Sequence, residues 1–166
     1  MHSEQDAAAS GRRETPAERA DRNFQELLTE LRVLQTGVQI LFGFLLILAV
    51  QPRFADASQF ERAVYLLALL LTCAATALLM APVAYHRALF SLGQKADVVA
   101  MSNRLADCGI FVLMLAIGVA VLLVVDFVFD RPLAWLLGTA VIAVFVVLWY
   151  LLPLSRRRSS PAADIS

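Results

Sequence analysis

The chain has 166 residues, 60% of them hydrophobic and only 17% charged, with a formal net charge of zero. A soluble domain of this size is nearer half apolar and a quarter charged. Balanced charge makes no electrostatic case for nucleic acid, so none is expected as a partner. What charge there is crowds into the N-terminal third and the loops, leaving four long runs with almost none.

Residues 1–14 have nothing to bury and read as a disordered cytoplasmic tail. They lack an apolar h-region, so no cleavable signal peptide is expected ahead of the first span. A helix start follows at Thr15-Pro16-Ala17-Glu18, where Thr15 can cap, Pro16 suits the first helical position and Glu18 completes a capping box. Residues 15–33 form the amphipathic part of helix one, continuous with the first span. Phe24, Leu27, Leu31, Leu34 and Val38 fall on one arc at 100° per residue, with Arg22, Gln25, Glu26, Thr29, Glu30 and Arg32 around the rest. Arg22 and Glu26 stand at i,i+4 and support the helix. This extension either lies at the cytoplasmic membrane surface before turning inward or stands out of the bilayer as a stalk.

Four uncharged runs follow, at 34–50, 63–84, 108–125 and 133–154. Eighteen residues rise about 27 Å, enough for a thin hydrocarbon core. Pro52 ends the first run and a second capping box, Ser58 to Glu61, opens the next. Asp107 and Asp126 bound the third, and Arg156-Arg157-Arg158 in the tail 155–166 follows the fourth. The segment from Tyr85 to Asp107 reads as helical on both sides of Gly93, a C-cap candidate. The fold class is therefore all-α: an integral membrane four-helix bundle made of two helical hairpins, with an amphipathic cytoplasmic extension of helix one.

Arginine and lysine placement sets the expected orientation. With both termini cytoplasmic, the inner side holds Arg12, Arg13, Arg19, Arg22, Arg32, Arg87, Lys95, Arg104 and the Arg156–Arg158 run. The outer side holds Arg53, Arg62 and Arg131, each with an acid near in sequence at Asp56, Glu61 or Asp130. Aromatic residues agree, with Tyr65 and Trp135 at the outer interface and Tyr85, Trp149 and Tyr150 at the inner one. The expected location is thus the inner cell membrane, crossed four times.

The candidate site is polar and sparse. Arg32, Gln35, Thr36, Gln39 and Gly43 share a narrow arc that enters the bilayer, and amides facing lipid are costly. The stripe should face protein, water or headgroups, either as hydrogen-bonding glue within the bundle or across a dimer, or as a ligand or ion path. Pro82 frees the carbonyl of Leu78 and kinks the second span, placing His86 and Arg87 at headgroup level. Asp107, with Asn103 and Arg104 beside it, reads as part of a solvated interfacial pair, and Asp126 as another interfacial acid. Ala74, Ala77 and Ala81 on the second span, and Ala116 with Ala120 on the third, allow close helix packing. Cys73 and Cys108 should differ in depth by roughly 15 Å, beyond disulfide reach, and read as small apolar packing residues. No metal-ligand spacing, nucleophile triad, phosphate loop or redox motif is present, so no metal, cofactor or enzymatic activity is expected.

The stretch Asn23 to Phe42, "NFQELLTELRVLQTGVQILF", together with Ala81-Pro82-Val83-Ala84-Tyr85-His86-Arg87, resembles a family of small uncharacterised bacterial membrane proteins catalogued as a domain of unknown function. The resemblance runs from about Asp21 to Val125. It implies a four-helix inner-membrane protein, and some family members carry a sodium:proton antiporter label; it implies no catalytic residues. Two functions follow as expectations. The first is a non-enzymatic membrane protein acting by helix association with itself or with a membrane partner, the amphipathic face of residues 16–33 serving as contact. The alternative is a small oligomeric cation or proton transporter using Gln35, Gln39, His86 and Asp107. Exchange needs an ionisable group within the membrane, and the interiors of the four runs hold none.

Overall fold

The computed structural model describes residues 15–89 and 95–158; expectations for residues 1–14, Gly93 and the tail past Arg158 lie outside the described residues, as do the side chains of Phe24, His86, Arg87, Lys95 and Arg156–Arg158. Three long helices come first: α1 (Pro16–Ala49), α2 (Gln59–Leu89) and α3 (Lys95–Val128). The fourth helical run comprises α4 (Arg131–Val146), a π-helical turn (Val147–Leu151) and α5 (Leu152–Arg158). All four runs are long and apolar enough to cross a membrane. The chain is an all-α integral membrane bundle of two hairpins.

Local chemistry sets the helix starts. The Thr15 amide N–H donates to the Glu18 carboxylate at 2.8 Å and the Glu18 amide to Thr15 Oγ1 at 3.2 Å. Ser58 and Glu61 repeat the exchange at 2.6 and 3.2 Å, so both expected capping boxes form. Arg22 and Glu26 pair at 3.4 Å on the solvent side of α1. A short 3₁₀ turn, Pro52–Asp56, closes the first hairpin, and Asp130 turns the corner of the second. We call this the turn end of the bundle; the other holds the terminal ends of α1 and of the fourth run.

α1 and α3 have 34 residues each, about 51 Å of helix against a hydrocarbon core of about 30 Å. α3 passes unbroken through Asp107, which had marked the expected start of the third span. This length decides the fate of the amphipathic arc. Leu31 and Val38 are buried, and with Leu27 and Leu34 they pack on Ala75, Leu79, Ala106 and Leu113 of α2 and α3. The arc expected to meet a membrane surface or a partner is covered by the chain's own helices from Leu27 onward, because those helices also outrun the bilayer. A second core, around Leu45, Ala68 and Leu123, lies nearer the turn end.

α3 is the central helix, packed on α2, α4 and α1, while α4 rests mainly on α3. Accordingly 44% of the most apolar window of the third span is buried, against 6% for the fourth. The α3–α4 contact is set by Gly118 and Gly138, neither singled out in the sequence. A Cβ on Gly118 would run into the side chain of Ile142, and one on Gly138 would meet Leu122 Cβ at 2.9 Å. Gly109 likewise lies against α2, where an added Cβ would stand 2.8 Å from Leu79 Cδ2.

Two packing expectations are corrected. The buried face of α2 is Ala68, Thr72, Ala75, Leu79 and Pro82, whereas Ala74 and Ala77 are exposed and Ala81 is half-buried. Ala116 and Ala120 are buried as expected. Cys73 and Cys108 are exposed free thiols rather than packing residues. In both cases the residue type was read correctly as small and apolar, but the helical phase belonged to a neighbouring face. That phase is set by where α1 and α3 approach.

The turn end is tied by arginines. Arg53 donates to the Phe127 carbonyl, and Arg62 to the carbonyls of Ala57 and Ala55. Arg131 pairs with Asp126, not with Asp130 beside it, at 3.4 Å, and its guanidinium stands 4.1 Å over the Phe60 ring. The Asp126 side chain is only 5% exposed. Asp126 stands near the end of α3 as expected, but its carboxylate is paired and nearly buried rather than solvated. The rings of Phe54, Tyr65 and Phe127 fill the space beneath.

Candidate intramembrane association site

The polar stripe of α1 does not act as one surface. Gln35 is half-buried and turns toward α2, where its amide Nε2 donates to the Leu79 carbonyl at 3.1 Å. Leu79 precedes the buried Pro82 by three residues, next to the Leu78 carbonyl that the missing proline N–H leaves without its helical donor. Two features separate in sequence thus meet: a side-chain amide from α1 bonds the α2 backbone one residue from the carbonyl that Pro82 frees. Thr36 Oγ1 donates back to the Arg32 carbonyl at 3.1 Å, satisfying itself within its own helix.

Gln39 differs. It is exposed on the outer side of the bundle and has no hydrogen-bond partner among the described residues. It borders an outward groove of 290 Å³ between α1 and α2, shared with Phe42, Cys73, Thr76 and Ala77. Ten residues separate it from the end of α1 at Ala49, about 15 Å of rise and so about half the hydrocarbon thickness. The other polar side chains at such depth are satisfied locally: Thr72 donates to Ala68, Thr76 to Thr72 and Thr139 to Trp135, at 2.7, 2.8 and 2.6 Å. An amide that reaches no partner in hydrocarbon costs several kcal/mol. A second groove, 240 Å³ between α1 and α3, is lined by apolar side chains from Leu41 to Val125 and suits lipid chains without further explanation.

At the terminal end, Asp107 and Arg104 are both exposed on α3 and form no ion pair with each other. A solvated pair of this kind has little to hold it together. Phe111, one turn on from Asp107, meets the Tyr150 ring edge-on at 6.4 Å, which brings the π-helical turn close to this part of α3. The turn precedes Pro153, whose missing N–H removes a ladder bond to Trp149, and the widened turn accommodates the loss. His86 and Arg87 fall on α2 backbone, with their side chains outside the described residues. The structure thus joins Gln35 to α2 and leaves Gln39 and Asp107 facing outward on different helices. Among the described side chains no two of the candidate residues share a hydrogen bond or ion pair beyond Thr36 with the Arg32 backbone.

The model of the family of unknown function DUF6328 matches residues 13–153. The chain belongs to this family. The match extends past both ends of the resemblance carried by Asp21–Val125 and takes in the glycine-matched α3–α4 hairpin. Its description carries no activity. No curated protein and no solved structure matches the chain.

Proposed function

We propose that this DUF6328 member is a non-catalytic membrane protein that works by associating with itself or with another membrane protein through its spans. The observation that carries the reading is the Gln39 amide, unpaired and outward-facing near mid-bilayer. A span of another chain can bring such a group both a donor and an acceptor. Uncovered apolar surface on α4 adds room for contacts, while lipid alone also satisfies it.

Cation or proton exchange has less support. A transport carboxylate should lie between helices where ions from both sides reach it. Asp107 faces outward, and Asp126 is already held by Arg131. The test compares lipid-dilution energy transfer between donor- and acceptor-labelled copies in vesicles, and co-purification from the native membrane, with cation-driven proton movement in proteoliposomes. Transfer that persists on dilution, or a stoichiometric membrane partner, supports association. A saturable cation-dependent proton flux abolished by Asp107→Asn overturns it in favour of exchange.

A further inference from the structure

The outward face of α1 carries a second regularity. Arg32, Thr36, Gln39, Gly43, Leu46 and Val50 follow one another at spacings of four, three, four, three and four residues. Five of the six are exposed and Gly43 is half-buried. Some line of positions at this spacing exists on every helix, so the spacing alone says nothing. Its contents do. The line gathers the unpaired amide, the hydroxyl of Thr36 and a glycine onto a face turned about 100° away from Leu31, Val38 and Leu45, which are spent on the chain's own core.

Gly43 supplies an independent observation. Every described glycine in α3 and α4 stands where a Cβ would strike a neighbouring helix, but an added Cβ on Gly43 meets nothing within 4 Å. Packing within the chain therefore gives no reason for glycine there, and in a helix glycine costs roughly 1 kcal/mol relative to alanine. One turn from Gln39 and on the same line, the absent side chain lets another backbone approach closely.

We propose that a second copy of this chain occupies this face, forming a parallel α1–α1 seam in which Gln39 pairs with Gln39 across a two-fold axis along the membrane normal. The inference rests on the association reading above and names its occupant, face and register. A second copy is favoured over an unlike helix by depth and by chemistry. Two copies inserted in the same sense place Gln39 at the same depth without adjustment. A primary amide carries both a donor and an acceptor, so it satisfies an identical amide reciprocally. Repeats of 3.5 residues bring two helices together at the shallow left-handed crossing, with side chains of one set between those of the other. A single amide in such a seam holds the register, because any slip leaves both amides unpaired in lipid.

The experiment uses the full chain in vesicles at graded lipid-to-protein ratios, read by energy transfer between labelled copies, with disulfide trapping as a second measure. Gln39→Leu and Gly43→Leu each weaken self-association by about tenfold, without lowering helicity or monomer melting, since Gln39 forms no hydrogen bond among the described residues and an added Cβ on Gly43 meets nothing within 4 Å. In a Cys73→Ser, Cys108→Ser background, Val50→Cys traps a dimer under mild oxidation, whereas Leu48→Cys, on the inward side of α1, does not. If copies associate but Gln39→Leu and Gly43→Leu leave the affinity intact, and trapping moves to Leu136→Cys on α4, the association reading stands and the α1 seam is wrong. If the chain stays monomeric at every dilution and Val50→Cys traps nothing, the seam is wrong. In that case the general reading survives only where a different membrane protein co-purifies.

Discussion

The α3–α4 contact and the outward face of α1 use the same vocabulary, glycine and small residues set in apolar helix, with opposite results. At Gly118 and Gly138 the missing side chains are filled by Ile142 and Leu122 of the facing helix. At Gly37 and Gly43 the space is open. Lipid tails are as apolar as leucine, so burying an apolar face gains little in a membrane and close packing must decide which helices meet. A glycine in contact reports an interface already made within the chain. One without contact, beside an unpaired amide, reports a surface left available.

The largest effect should come from filling the closed contact. Gly118→Leu drives a branched side chain into Ile142 and should cost about 2–3 kcal/mol, or separate the fourth run from the bundle, seen as a lower unfolding midpoint in detergent and new proteolysis near Asp130. An equal melting curve would mean that the α3–α4 approach is not tight. Next comes the turn end. Arg131→Leu leaves the nearly buried Asp126 carboxylate without its cation and should cost roughly 2 kcal/mol, discounted for the half-exposed guanidinium. Asp126→Asn in the same chain should restore most of the loss, and two fully additive effects would refute the pairing.

Smaller effects sharpen the contrast within α1 itself. Gln35→Leu should lower stability by about 0.5–1 kcal/mol through loss of the bond to Leu79, with self-association unchanged. Gln39→Leu should do the reverse, weakening association without lowering the melting curve. If both substitutions act alike, the division of the stripe into an inward and an outward amide fails. Gly37→Ala should leave association unchanged and stabilise by no more than about 1 kcal/mol, since the added methyl meets no neighbour and lies away from the Gln39 line.

The helices themselves were legible because their causes are local. Thr15 and Ser58 cap, Pro52 stops, and runs without charge leave lipid as the only compatible surroundings. The stripe was legible as a cost, since an amide within an apolar run needs a partner wherever it points. Its resolution was not. Gln35 and Gln39 stand four residues apart, and only the position of α2 decides that the first finds Leu79 while the second finds none. Likewise Asp126 and Asp130 are both near Arg131 in sequence, and the corner between α3 and α4 selects the first. Gly118 and Gly138 offered a signal, isolated glycines within apolar spans, that pattern alone does not assign to partners.

By itself the sequence determines that the chain is four apolar helices in two hairpins, because hydrophobicity and backbone hydrogen bonding in a bilayer permit nothing else for such runs. Only the tertiary structure decides which face of each helix is spent within the chain. That choice turns on close approach at a few glycines and on which carbonyl or carboxylate a side chain can reach. Those distances belong to the packed helices and have no counterpart in the order of residues along any one of them.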